Sequence, residues 1–402
     1  MYKVVAGDTW AKIARKVYGK ELEAAKLAKA NPGVSEPLIA GTVINTPSAP
    51  RAVSSPAPAN GPDEVSILID GERFRFWSTV RIIRALDTMD IVEFTAPFDP
   101  ELQRIFRPFS FLPISISVGG SLLFTGTMVA VNPSLSGESR VISVSAYSNP
   151  GVLQDCTVPS SEDQREYSGQ NLRQIATAIC TPFGIPIQFD VSDDTVFEEV
   201  SFTATTRVFD FLAQLAQQRN LIMTNTDDGS LRFFRAKDGG NPVVVLQEGI
   251  PPLEKVTPFF SPQEYYSHIT GIEPVFVGLE GSQFTVRNPF LSGILRPYIF
   301  NADDSETTTI SEATKAKAGR MFGNMVSYEV VLPTWRDPSG ALWSPDTIVS
   351  LKAPGAMVYN QYKFLIRSVE LERVIDTEIA TLSLVIPGSF NGKIPDSLPW
   401  DL

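Results

Sequence analysis

The chain has 402 residues, 43% of them hydrophobic, which suits two to four globular domains and excludes a disordered chain. Its 34 basic residues stand against 45 acidic ones, and a formal net charge of -11 argues against sequence-independent binding to nucleic-acid phosphates. No apolar run is long enough to span a membrane, and residues 1–8 turn polar before a signal-peptide core forms, so the chain is expected to fold in a cytoplasm.

Residues 1–47 form a first unit. Lys3-Val4-Val5 predicts a short strand, with Asp8 as a helix cap and Thr9 able to share that task. Trp10, Ile13, Ala14 and Val17 follow at helical spacing, and a second helix fits Glu21 to Ala30, ended by Asn31-Pro32-Gly33. Thr42-Val43-Ile44 predicts a closing strand, so the order is strand, helix, helix, strand. Residues 48–62 are a linker. Together with Pro47 they read PSAPRAVSSPAPANGP, whose five prolines leave nothing to pack and favour a semi-stiff spacer.

From Asp63 the pattern is mostly β, and the fold class expected for the whole chain is α+β, mostly β. Residues 63–150 form a first β-rich part. Val65–Ile69, Asp70-Gly71 and Arg73–Trp77 predict a hairpin, because Asp-Gly supplies the positive φ angles of a tight turn. Ile114–Val118, Gly119-Gly120 and Leu122–Val131 predict another, and Val141–Ala146 a further strand. Residues 151–250 are an α/β insert. Leu172, Ile175, Ala176 and Ile179 share one helical face with Ser168 as its cap; Phe209, Leu212, Ala213 and Ala216 share another with Thr206 as its cap. Leu221–Asn225, Asp227-Asp228-Gly229 and Leu231–Arg235 then predict a hairpin. Residues 251–390 are a second β-rich part, with a helix over Ser311–Met325 and strands at Val326–Leu332, Thr347–Lys352, Tyr362–Leu371 and Ile379–Ile386. Residues 391–402 are an extended tail. No internal sequence repeat is legible, although two β-rich blocks flanking an insert are compatible with a structural one.

Chemistry-bearing patterns are scarce. One histidine, His268, leaves no Ser-His-Asp set unless it is the base, and no G-x-S-x-G, H-E-x-x-H, C-x-x-C or P-loop string occurs. Cys156 and Cys180 are spaced for neither a disulfide framework nor zinc and are read as free thiols. Asp193-Asp194, Asp303-Asp304, Glu198-Glu199 and Glu370 with Glu372 are read as solvated carboxylates. No catalytic residue, cofactor or metal is expected.

Residues 1–47 resemble a LysM module of the kind found in the phage tail protein X family. The match runs through Tyr2-Lys3-Val4, Gly7-Asp8-Thr9-Trp10, Ile13-Ala14, Val17-Tyr18-Gly19, Asn31-Pro32 and Leu38–Ile44. LysM modules bind N-acetylglucosamine polymers, so the resemblance nominates Gly7, Asp8, Thr9, Trp10, Asn31 and Pro32 as a groove for peptidoglycan or for a docking protein.

Residues 63–390 resemble the baseplate hub proteins of Mu-like contractile tails, related to the late control D family. The strings are Trp77–Ile82 with Phe94, Val118-Gly119-Gly120 with Phe124-Thr125-Gly126, Tyr147 with Leu153–Cys156, and Leu172–Ile179 with Pro182–Ile185. Phe209–Arg219 with Asp227–Leu231, and Gly340–Pro345, complete the set. The resemblance implies a homotrimer with two tail-tube-like β-barrel domains per chain, at 63–150 and 251–390, forming a pseudo-sixfold ring. Such a ring adapts the tail tube to the central spike and surrounds the DNA-exit channel. Implied partners are the spike, the tube or distal tube-end protein, the tape measure protein and baseplate wedge proteins, without sequence-specific nucleic-acid binding or membrane insertion. The implied place is the virion tail, assembled in a bacterial cytoplasm. The same hub serves tailocins and secretion-system spikes. A peptidoglycan-binding adaptor or cell-wall hydrolase acting through the LysM module is the alternative.

Overall fold

The computed structural model describes residues 2–18, 24–46, 63–97, 105–136, 140–158, 166–192, 195–272, 282–301, 310–374 and 377–401. The expected linker at 48–62 and the pairs Asp193-Asp194 and Asp303-Asp304 lie outside them. The chain divides into two units, Met1–Pro56 and Ala57–Leu402.

The first unit runs β1 (Tyr2–Lys3), α1 (Trp10–Tyr18), α2 (Ala24–Lys29) and β2 (Val43–Ile44). β1 and β2 pair antiparallel. The expected order of elements is present. Its core is small: Val4, Trp10, Ile13, Ala14, Leu27, Leu38 and Ile44.

The second unit opens with β3 (Val65–Ile69), β4 (Glu72–Phe74), β5 (Thr79–Ala85), β6 (Ile91–Pro97), β7 (Pro113–Val118), β8 (Ser121–Leu135) and β9 (Arg140–Ser148). The insert follows with α3 (Val152–Asp155), β10 (Glu166–Asn171), α4 (Leu172–Cys180), β11 (Ile187–Phe189), β12 (Val196–Ser201), α5 (Val208–Gln218), β13 (Ile222–Asn225) and β14 (Leu231–Phe234). The rest comprises β15 (Val245–Gln247), β16 (Lys255–Phe260), β17 (His268–Ile272), β18 (Gln283–Arg287), β19 (Pro297–Asn301), α6 (Ile310–Met325), β20 (Val326–Leu332), β21 (Ile348–Ala353), β22 (Val358–Val374) and β23 (Thr377–Val385).

Thirteen of these strands form one sheet, ordered β16-β20-β23-β22-β5-β6-β9-β8-β7-β3-β4, with β21 on the flank of β22 and β15 beyond it. The family resemblance implies two tail-tube-like β-barrel domains. The pairing instead fuses both β-rich parts through β5 and β22, and among the described residues β4 and β16 end the path without meeting. The strands alternate: Val65, Ile67, Ile69, Val80, Ile82, Val92 and Phe94 enter a core shared with Val330, Leu332, Val369, Leu371 and Leu382. The predicted turns hold. Asp70 and Gly71 take φ of 50° and 83°, and Gly119 and Gly120 take 59° and 83°.

The repeat that is invisible in sequence is plain in topology. The order β5-β6-β9-β8-β7-β3 in the first part recurs as β16-β20-β23-β22-β21-β15 in the second. The first four contacts are antiparallel in both series; the last is antiparallel for β7–β3 and parallel for β21–β15. Both long strands also bulge at the same place: β8 between Met128 and Ala130, β22 between Ile366 and Ser368. Aligning the bulges equates Val131 with Val369, Val80 with Val256, Ile82 with Pro258 and Arg81 with Thr257.

The insert has its own core, built on Leu172, Ile175 and Ile179 of α4, Phe211, Leu212 and Leu215 of α5, and Leu153, Phe197 and Phe233. Asn171, not Ser168, caps α4, in a capping box with Gln174. Arg207 occupies the α5 cap position, and no side chain bonds there; the Thr206 hydroxyl instead lies 2.8 Å from that of Thr203. The C-terminal tail is not free-running. It turns back so that Leu398 is buried, Tyr362 donates to the Ser397 carbonyl at 2.8 Å, and Trp400 meets Phe260 edge-on.

Candidate functional site

In the first unit the six groove candidates divide by what they touch. Asp8 is turned inward and accepts from the Lys16 ammonium at 2.7 Å, the Tyr2 hydroxyl at 2.9 Å and the Val5 amide at 2.9 Å. The Lys16 hydrogen bond, aided by the Val5 amide, holds its carboxyl down at about 2. Thr9, rather than Asp8, caps α1, accepting from the Lys12 amide at 3.3 Å. The Trp10 ring lies in the core, and its amide donates to Glu36 at 3.0 Å. Asn31 is a staple: its amide nitrogen donates to the carbonyls of Leu27 and Asn45, and its oxygen accepts from the Asn45 amide at 2.7 Å. Only Gly7, Thr9 and Pro32 of the six are exposed. Sequence logic did not single out three exposed apolar residues, Val5, Ile39 and Val43.

In the second unit the feature with most consequence is the seam between β5 and β22. It runs antiparallel from Ala85 opposite Ser368 to Thr79 opposite Val374. On its inner face Val80, Ile82, Val369 and Leu371 are wholly buried. On its outer face Arg81 donates to Glu370 at 2.8 Å and to Glu93 at 3.1 Å. Two further ion pairs join the same two parts of the sheet, Arg367 to Asp87 at 2.8 Å and Arg336 to Asp63 at 2.6 Å. Glu370, read from sequence as a solvated carboxylate, is thus a seam residue.

The insert is held by a polar cluster around the buried Asp90 and Asn225. Arg84 pairs with Asp90 at 3.2 Å and with Asp227, and Asn225 donates to Asp90 at 3.0 Å. Burial pushes the Asp90 and Asp227 carboxyls above the usual range, against the pull of Arg84. Thr224 adds a bond to the Ala85 carbonyl at 3.0 Å. Asp227 was legible only as a turn residue, since its partner lies 143 positions away.

The remaining chemical candidates stay apart. His268 opens β17, where its Nδ1 lies 2.9 Å from the Ser267 hydroxyl. Cys180 is buried in the insert core, which pushes its thiol up to about 12, and Cys156 is a half-buried free thiol. Among the described residues no three potential ligands gather to hold a metal ion. Among the described residues no helix is long and apolar enough to cross a membrane.

Comparison with known proteins bears on both units. Residues 150–235 match the family model "Baseplate hub protein gp44-like, second domain", and residues 2–47 match the LysM domain. The baseplate hub protein gp44 of Escherichia phage Mu is 23% identical over 323 residues, covering 76% of this chain and 81% of that protein. The 43 kDa tail protein of prophage MuSo2 from Shewanella oneidensis superposes with a TM-score of 0.70 at 23% identity, over 81% of this chain and 99% of that one. A tail protein from Neisseria meningitidis MC58 gives 0.67 at 16% identity, over 81% and 98%. The resemblance read from the sequence is therefore shown: the chain is mostly β, matches the LysM domain over residues 2–47 and the gp44-like second domain over 150–235, and is similar to the Mu baseplate hub protein gp44 along most of its length.

Proposed function

We propose that this chain is the central structural hub of a contractile phage tail or tailocin baseplate, working as a homotrimer and not as an enzyme. Each half of the large sheet stands for one tail-tube-like β-barrel unit, so three chains form a ring of six quasi-equivalent units. That ring meets the sixfold tube on one side and the trimeric spike on the other, and the DNA leaves through it. The tape measure and wedge proteins would be its other neighbours. The observation that carries this reading is the six-strand order found twice in one chain and fused by one seam. Negative net charge fits a channel that releases DNA, because unpaired carboxylates repel phosphate.

Light scattering coupled to size exclusion tests the ring. Three times the 44.0 kDa chain mass is the expected result, and a defined dimer or tetramer would overturn it. Zymography on peptidoglycan tests the non-catalytic reading, which clearing by the full-length chain would end.

The LysM match supports a second reading, in which the first unit recognises peptidoglycan. Because Asp8, Trp10 and Asn31 are committed to folding the module, Gly7, Thr9 and Pro32 are the groove residues left to face a ligand. Retention on purified sacculi that Thr9→Ala and Pro32→Ala abolish would favour sugar binding. No retention leaves the module as a docking piece for another tail protein.

A further inference from the structure

The recurring strand order contains an asymmetry. Within the chain, the edge of β22 away from β23 is shared between two partners: residues 358–365 pair with β21, and residues 368–374 pair with β5. Its counterpart β8 pairs with β7 over residues 121–127. Beyond the bulge, residues 130–135 of β8 pair only with β9 among the described residues. The counterpart of β5 is β16, which among the described residues likewise pairs on one side only, with β20. Among the described residues the two strands whose equivalents form the internal seam are thus each left with an unpaired stretch, apart from the sheet's other edges at β4 and β15.

We infer that β16 of one copy pairs antiparallel with residues 130–135 of β8 in a second copy, repeating between chains the β5–β22 seam found within the chain. This rests on the ring reading above and gives that ring its contact. The bulge alignment fixes the register. Phe260 falls opposite Val131, Phe259 opposite Asn132, Thr257 opposite Ser134 and Val256 opposite Leu135. Side-chain character agrees with a covered edge. Leu135, Phe259 and Phe260 are 66%, 50% and 44% exposed, large apolar groups on strands with a vacant side. At the inward positions Val131 and Val256 are half-buried, whereas their equivalents Val369 and Val80 are wholly buried under the internal seam. Pro133 falls opposite Pro258, and because neither has an N–H to donate, the ladder bonds there come from their neighbours.

The occupant is a second copy because the two vacant edges complement each other and not themselves. One chain offers a β16 edge to one neighbour and a β8 edge to another, the head-to-tail arrangement that closes into rings. Unpaired edges of this kind invite strand addition unless covered.

The test is cross-linking of the full-length chain carrying Ser134→Cys and Thr257→Cys, residues directly opposite in this register. Oxidation is expected to give covalent dimers and trimers from the double variant and none from either single variant or the wild-type chain, which keep Cys156 and Cys180. Leu135→Asp with Phe259→Asp, both at exposed sites, is expected to raise the assembly dissociation constant by about tenfold or more while circular dichroism and melting of the dissociated chain stay unchanged. A three-copy particle with neither a cross-link nor sensitivity to the aspartates overturns this seam and leaves the ring standing. A single-copy mass at every concentration, with no cross-link, overturns both. A cross-link without a three-copy particle supports the edge pairing and removes the ring.

Discussion

The first strand of each half of the large sheet occupies the same place in the repeat and meets a different fate. β5 is flanked on both sides, and Val80 and Ile82 are wholly buried. Among the described residues β16 is flanked on one side, and Val256 and Pro258 remain half-buried. The difference lies in what lies alongside each strand, since both carry apolar residues at inward positions. Among the described residues β16 thus lacks the second neighbour that β5 has, and the closed contact is available for comparison in the same molecule.

The largest effect should separate the two strands outright. Ile82→Asp places a carboxylate in the closed seam, where burial without a partner is expected to cost about 4 kcal/mol of unfolding free energy. Pro258→Asp, at the equivalent open position, is expected to cost less than about 1 kcal/mol in the dissociated chain. Urea unfolding of both variants measures this. Equal losses would mean that the two strands are not in different environments.

A second contrast lies in the long strands. Gly126 of β8 stands where β22 has Phe364. A Cβ at Gly126 would fall 2.0 Å from the Tyr147 carbonyl oxygen and 2.6 Å from the Phe124 ring. Gly126→Ala should therefore destabilise by about 3 kcal/mol through overpacking. A melting temperature unchanged by this substitution would show that β8 gives way there.

The cleanest comparison holds the residue type constant. Val80→Ala and Val369→Ala in the closed seam should each cost about 2 kcal/mol from lost burial and a residual cavity. Val256→Ala and Val131→Ala should each cost about 0.5 kcal/mol in the dissociated chain and rise toward the seam values in the assembled particle. Denaturation at low and high protein concentration distinguishes the two states. If the open pair gains nothing on assembly, the edges are not covered by a copy.

The same contrast explains what sequence could and could not say. Asp70-Gly71 and Gly119-Gly120 were legible because a tight turn demands their positive φ. The first unit was legible because its helices announce themselves by spacing. The repeat was not, because many equivalent positions hold unlike residues: Ile82 and Pro258, Arg81 and Thr257, Gly126 and Phe364. Only the strand order and the paired bulges are kept, and both are properties of the assembled sheet. The α4 cap was written in sequence as Asn171 with Gln174 three residues on, yet Ser168 looked equally suitable without the backbone. Among the groove candidates, residue type alone gave no sign that Asp8, Trp10 and Asn31 face inward. Asp8 answers Lys16 and Tyr2, and Asn31 ties α2 to the chain after β2.

The smallest predicted effect concerns charge. Arg81 reaches Glu370 and Glu93 across the closed seam, but its side chain is 41% exposed and theirs are 30% and 45%. Exposed pairs of this kind are worth about 0.5 kcal/mol, so Arg81→Ala should lower stability by about that much. The gap between wild type and variant should narrow as salt rises, because screening removes the charge term and leaves only the packing of the arginine stem. The equivalent residues at the open edges, Thr257 and Asn132, are uncharged, so assembly through β8 and β16 has no matching ion pair to lose. Stability of the chain should thus fall slightly with salt in an Arg81-dependent way, while the contact between copies is insensitive to salt at this position. Urea midpoints of both proteins at low and high salt, set beside the assembly constant at the same two salts, measure the two together. A contact between copies that weakens with salt as steeply as the internal seam would place charged residues at the junction and break the register drawn from the bulges.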